Sequence, residues 1–136
     1  MLTPDAILET ALYADDLEAT AAWYAEVFGL QETLRVPGRH VFFGVGPGML
    51  LIFDPAATEY PPTGLPVPTH GARGPGHLCF RVDGSALDTW ADHLRNTGVE
   101  IEADFHWPNG ARSIYVRDPA GNSVELSEPK LWNRPT

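Results

Sequence analysis

Ser113-Ile-Tyr-Val-Arg-Asp-Pro-Ala-Gly-Asn-Ser-Val-Glu-Leu126 reads as two short strands around a tight turn. Asp118-Pro119 opens the turn, Gly121-Asn122 supplies residues that tolerate positive φ, and alternation resumes at Ser123. Pairing the flanks as a hairpin sets Arg117 opposite Ser123, Tyr115 opposite Glu125 and Ser113 opposite Ser127 on one polar face. Ile114, Val116, Val124 and Leu126 fill the other face, which is core.

Working outward, the chain is built twice. Leu8 to Ala14 alternates as a strand, with Glu9, Ala11 and Tyr13 on one side. A helix follows, with Asp15 and Asp16 as candidate caps, Leu17, Ala21, Tyr24 and Phe28 at helical spacing and Gly29 as its stop. Three extended segments come next, about Gln31 to Val36, His40 to Val45 and Met49 to Phe53. The second half repeats this β-α-β-β-β order. Its strand is His77 to Val82, and its helix has Ser85 as cap and Gly98 as stop. Its extended segments run about Glu100 to His106, Arg112 to Arg117 and Ser123 to Ser127, with Asn109-Gly110 as a two-residue hairpin signal. Glu9 lies 20 residues before its glycine stop and His77 lies 21 before its own, so the two occupy equivalent points on equivalent strands. The expected organisation is one domain over 1–136, with a first module at about 5–54, a proline-rich linker at 55–75, a second module at about 76–128 and a tail at 129–136.

Length and composition bound the function. A chain of 136 residues can bury a core without staples, and its single cysteine, Cys79, excludes an intramolecular disulfide framework. No apolar run approaches a membrane span, so a cytoplasmic setting is expected. With 18 acidic against 9 basic residues and a formal charge of −9, the surface repels nucleic acid and anionic membrane. Small molecules and proteins are the expected partners.

Four phrases carry a family resemblance: Leu12-Tyr-Ala-Asp-Asp-Leu17, Trp23-Tyr-Ala-Glu-Val-Phe-Gly-Leu30, Gly76-His-Leu-Cys-Phe-Arg-Val82 and Asp118-Pro-Ala-Gly-Asn-Ser-Val-Glu-Leu126. Together they resemble the vicinal oxygen chelate superfamily of glyoxalase I, fosfomycin-resistance thiol transferases, extradiol dioxygenases, methylmalonyl-CoA epimerase and bleomycin-resistance proteins. The resemblance implies an α+β fold of two βαβββ modules, each half of an open eight-stranded barrel-like cup. It also implies a homodimer and a divalent metal ion (Mn, Fe, Ni, Zn or Mg) held in the cup by Glu9, His77 and Glu125. Glyoxalase I adds a glutamate on the fourth strand, where this chain has Leu51 as the counterpart.

Read from the residues alone, each member of this trio is a polar group set between apolar neighbours in a strand, where a charge is costly unless paired or metal-bound. Each also has a plain reading: a salt bridge for Glu9, a satisfied core histidine for His77, an ion pair for Glu125. Tyr115 and Ser113 face inward beside Glu125 and resemble the substrate-approaching pair of fosfomycin-resistance relatives; packing plus hairpin hydrogen bonds is the alternative. Arg81 and Cys79 share the face of His77. Arg81 is a candidate for substrate binding, and Cys79 reads as a small filler without an activating base. His70 and Arg73 sit in the proline-rich linker and are candidates to close over a ligand; a solvated loop is the plain reading.

The expected function is that of a glyoxalase/dioxygenase-like metalloenzyme acting on a small oxygen-chelating substrate, with Glu125 and Tyr115 catalytic and Ser113, Tyr115 and Arg81 on the substrate. The rival is a metal-free binding protein of the bleomycin-resistance type, holding an apolar ligand in the cup.

Overall fold

The computed structural model describes residues 1–135, which form two compact units, Met1–Pro75 and a second beginning at Gly76. Each unit is one β-α-β-β-β module. The first runs β1 (Glu9–Tyr13), α1 (Leu17–Phe28), β2 (Gln31–Val36), β3 (His40–Val45), β4 (Gly48–Phe53) and a short α2 (Pro55–Thr58). The second runs β5 (His77–Arg81), a 3-10 turn (Gly84–Ala86), α3 (Leu87–Asn96), β6 (Ala103–His106), β7 (Arg112–Arg117), β8 (Ser123–Ser127) and a closing 3-10 turn (Pro129–Trp132).

The sheets repeat one topology, β1-β4-β3-β2 and β5-β8-β7-β6. In each the first strand joins the last in parallel, and the other pairs are antiparallel. Glu9 and His77 are the first residues of the edge strands β1 and β5, so the duplication read from the glycine spacing is present in space within each module.

One face of each sheet is closed by its helix. Leu17, Thr20, Ala21, Tyr24 and Val27 form the buried stripe of α1, against Leu12, Val41, Phe43, Leu50 and Ile52. In the second unit Leu87, Ala91 and Leu94 of α3 are buried together with Leu78, Ile114, Val116, Val124 and Leu126. Each buried Leu, Val, Ile or Phe among them contributes about 1.5–3 kcal/mol. The helices end as glycine-stopped helices do, with Gly29 at φ 65° and Gly98 at φ 77°.

Three local expectations change. Asp16 caps α1 through Ala19 N–H at 3.0 Å, but the second helix is entered through a 3-10 turn capped by Asp83, two residues before Ser85. Asp83 accepts from both Ser85 N–H and Ser85 Oγ, each at 2.9 Å, and the 3-10 turn leads into α3. The β6–β7 connection is wider than a two-residue hairpin: His106–Arg112 is the last ladder pair, and Gly110 N–H bonds Trp107 O at 2.8 Å across a turn centred on Pro108-Asn109. The linker is not free of structure, because Asp54 caps α2 with Pro55 in its first turn and His70 N–H bonds Thr58 O at 3.0 Å. No helix among the described residues is long and apolar enough to cross a membrane.

Candidate functional site

The turn that decides the fold also places the candidate ligands. Asp118 Oδ1 accepts the N–H groups of Ala120 and Asn122 at 3.0 and 2.8 Å, and its Oδ2 accepts Asn122 Nδ2 at 2.8 Å. Asn122 Oδ1 then accepts Gly76 N–H at 2.7 Å, while Ser123 N–H bonds Gly76 O at 2.9 Å. The β7–β8 turn therefore fixes the residue just before His77.

The register matches the alternation: Tyr115 faces Glu125, Ser113 faces Ser127, Arg117 faces Ser123, and Cys79 flanks Glu125 from β5. Glu125 is buried, and His77 has half its side chain exposed. Their nearest atoms, His77 Nε2 and Glu125 Oε2, are 3.3 Å apart. His77 Nδ1 lies 3.0 Å from Ser123 O. A carbonyl only accepts, so Nδ1 carries the hydrogen and Nε2 of the neutral ring points a lone pair at a carboxylate oxygen. Two acceptors at that distance call for a positive charge between them, a proton or a metal ion.

A metal fits the donors. With ligand bonds of about 2.1 Å, the donor–donor edge is about 3.0 Å in an octahedral site and about 3.4 Å in a tetrahedral one, and the observed separation lies between. The carbonyl bond at Nδ1 is the partner that a ligating histidine ordinarily has.

Glu125 Oε1 is taken. Ser113 Oγ donates to it at 2.5 Å and accepts Trp107 Nε1–H at 2.8 Å; Ser127 Oγ donates to Arg112 O at 2.9 Å. Counting hydroxyl hydrogens leaves none for the 3.1 Å Ser113–Ser127 contact, so the chain runs from the indole through Ser113 to the carboxylate. Ser113 is fully buried, and this arrangement supports its second reading, that of holding Glu125 rather than touching substrate. Trp107 carried no sequence signal, because it lies in a hairpin loop where alternation says nothing.

Tyr115 is half-buried, near-parallel to His77 at 6.3 Å and to Phe105 at 6.0 Å. Loss of solvent, then the Glu125 charge, pushes its hydroxyl up to about 12, so it is a donor throughout the neutral range. The same two causes push the Cys79 thiol up to about 12, which leaves it a poor nucleophile, as its sequence context suggested. Arg81, at the end of β5, lines a separate cavity with Asp83, Glu128 and Lys130.

The corresponding face of the first unit is apolar around Leu51. Register places Leu51 between Ala11 and Phe42, as Glu125 lies between Cys79 and Tyr115, so the module repeat puts a leucine where the second unit has its carboxylate. Glu9, exposed and opposite Met49, has no ion-pair partner among the described residues. Among those residues no three His, Cys, Asp or Glu side chains gather into a metal-binding group; the pair brought together is His77 and Glu125.

His70, read as solvated, is docked: its Nδ1 lies 2.6 Å from Tyr13 Oη, and its ring meets Phe53 edge-on at 4.6 Å. His40 stacks on Phe42 at 4.1 Å with both ring nitrogens buried and unpartnered. Arg73 is ion-paired with Glu59.

Comparison with known proteins matches residues 6–126 to the model of the Glyoxalase/Bleomycin resistance protein/Dioxygenase superfamily. The chain is similar to a lactoylglutathione lyase from Agrobacterium tumefaciens, with 51% identity over 95% of this chain and 97% of that one and a TM-score of 0.91. A glyoxalase/bleomycin resistance protein/dioxygenase from Nocardioides shares the fold at 23% identity, with 94% and 85% of the two chains covered and a TM-score of 0.73. A FosX fosfomycin resistance protein from Listeria monocytogenes, complexed with Mn(II), shares it at 19% identity, with 92% and 90% covered and a TM-score of 0.67. No curated protein matches the chain.

Proposed function

This chain belongs to the Glyoxalase/Bleomycin resistance protein/Dioxygenase superfamily, and we propose that it works there as a metal-dependent enzyme of the lactoylglutathione lyase kind. The observation that carries the reading from family to activity is the 51% identity, over nearly the full length of both chains, with the Agrobacterium lyase. The acceptor-to-acceptor approach of His77 and Glu125 supports the metal.

The proposed donor set is Glu9, His77 and Glu125. Two carboxylates and one imidazole neutralise a divalent ion and leave positions for water and substrate, with no fourth protein donor at Leu51. When bound, the ion supplies Lewis-acid polarisation of adjacent substrate oxygens. The remaining work belongs to the chain. Ser113 and Trp107 fix Oε1 of Glu125, so Oε2, on the His77 side, is the oxygen that would face the ion and that, when not bound to it, could take a proton from the carbon beside a substrate carbonyl and return it. Tyr115 keeps its proton and offers a hydrogen bond to substrate oxygen or to Glu125. Cys79 takes no covalent part.

A homodimer belongs to the same proposal: Ile7, Leu8, Leu34 and Val36 stay exposed in the first unit, apolar area that a second copy would cover. The test of activity is turnover of lactoylglutathione, in either direction, by protein stripped with chelator and reconstituted in turn with Mn, Ni, Zn and Mg. Metal-dependent turnover lost in Glu125→Gln is expected. A protein that binds metal but leaves the thioester untouched under every ion would refute the lyase assignment.

A further inference from the structure

Nine basic side chains face 18 acidic ones in this chain, and most of the nine are neutralised. Arg35, Arg73, Arg95, Arg112 and Arg117 are in ion pairs, and Arg39 donates to Ala57 O at 2.9 Å. The side chains of Arg81, Lys130 and Arg134 remain without a hydrogen-bonded or ion-paired partner among the described residues. Two of these three, Arg81 and Lys130, line the same cavity of about 450 Å³, inside the second unit.

The cavity also contains two carboxylates, yet neither turns to these cations. Asp83 Oδ1 is occupied by the backbone and hydroxyl of Ser85. Glu128 Oε2 accepts Arg112 N–H at 3.1 Å, and its other oxygen lies against Gly84, where a Cβ would stand 2.7 Å away. Glycine at position 84 is thus what lets the Glu128 carboxylate tuck under the 83–85 turn, away from Arg81 and Lys130.

We propose that Arg81 and Lys130 form a binding site for the carboxylate group of a small organic acid. A planar guanidinium fork matches a carboxylate in two hydrogen bonds, and Lys130, whose ammonium lies against Gly110, adds a second cation to the same lining. The cavity is of the size that takes small molecules rather than a bare ion, and Val82 and Pro129 give it an apolar wall for a carbon chain. The charges of Asp83 and Glu128 disfavour a doubly charged phosphate in the same space. The site stands apart from the reaction proposed above: Arg81 is four residues along β5 from His77, about 13 Å at strand rise.

The test uses the full-length ¹⁵N-labelled chain at constant ionic strength and neutral pH, titrated separately with sodium butyrate, sodium acetate and inorganic phosphate. Saturable shifts confined to the amides of Val82, Ser85, Glu128 and Lys130 are expected with butyrate. Arg81→Met and Lys130→Met should each weaken binding at least tenfold while the rest of the spectrum stays unchanged, and Arg81→Lys should recover part of the loss. Non-saturating shifts, or binding unchanged in the Arg81→Met/Lys130→Met double variant, would overturn the site. Phosphate binding more tightly than butyrate would overturn the carboxylate assignment, and acetate binding as tightly as butyrate would overturn the role of the apolar wall.

Discussion

Ser113→Ala removes one oxygen and with it the link between Trp107 and Glu125. The hydroxyl donates to a buried carboxylate at 2.5 Å, and a hydrogen bond to a charged group contributes about 1.5–3 kcal/mol. Its removal also leaves the Trp107 indole N–H without its acceptor, roughly a further 1 kcal/mol in a half-buried site. The expected destabilisation is therefore about 2–4 kcal/mol. At about 2 cal/mol/K of unfolding entropy per residue, that is a fall of roughly 7–14 °C in Tm for 136 residues. Urea denaturation followed by tryptophan fluorescence measures it, and a cycle with Glu125→Ala isolates the pair, whose coupling should be at least about 1 kcal/mol. A variant within about 0.5 kcal/mol of wild type, or a coupling near zero, would show that Ser113 does not hold the carboxylate.

Tyr115→Phe keeps the ring that stacks near His77 and deletes the donor, so turnover or ligand affinity should fall about fivefold to tenfold with Tm nearly constant; both unchanged would remove Tyr115 from the site. Asn122→Ala releases Gly76 and so loosens His77, and metal affinity measured by titration should drop about tenfold to a hundredfold; unaltered affinity would contradict that positioning role. His40 has its pKa lowered by burial and then by Arg39, so below its ordinary value of 6.5 the unfolded chain binds the proton that the folded one refuses. The stability His40 confers is present above about pH 6.5 and lost as pH falls, and urea midpoints at pH 7.5 and 5.5 should fall more for wild type than for His40→Leu. Equal falls in the two proteins would refute it.

The strand register around Glu125 was legible because it needed only alternation and a turn whose residues tolerate positive φ. Tyr115 is opposite Glu125 as the sequence requires. The equivalence of Glu9 and His77 was legible from the spacing to two glycine stops. The support of the site was not: Trp107 reaches Ser113 from a loop whose shape depends on the Pro108-Asn109 turn, and no periodicity reports a loop's direction. Asp83 competes with Ser85 for the cap, and local sequence does not separate two adjacent cap formers before the 3-10 turn is seen. The docking of His70 has no local signal because its partners, Tyr13 and Phe53, are far away in sequence; only tertiary docking brings them to it. Asp54-Pro55, by contrast, is a cap followed by a first-turn proline, a signal for α2 that the surrounding prolines obscured.

Calorimetric titration of chelator-treated protein with Mn, Ni and Zn tests the central claim most directly. Wild type should take up one ion per chain, His77→Ala and Glu125→Ala should show no stoichiometric uptake, and Glu9→Gln should bind more weakly. Wild-type protein that binds none of the three ions stoichiometrically, or a His77→Ala variant that binds as tightly as wild type, would contradict the account.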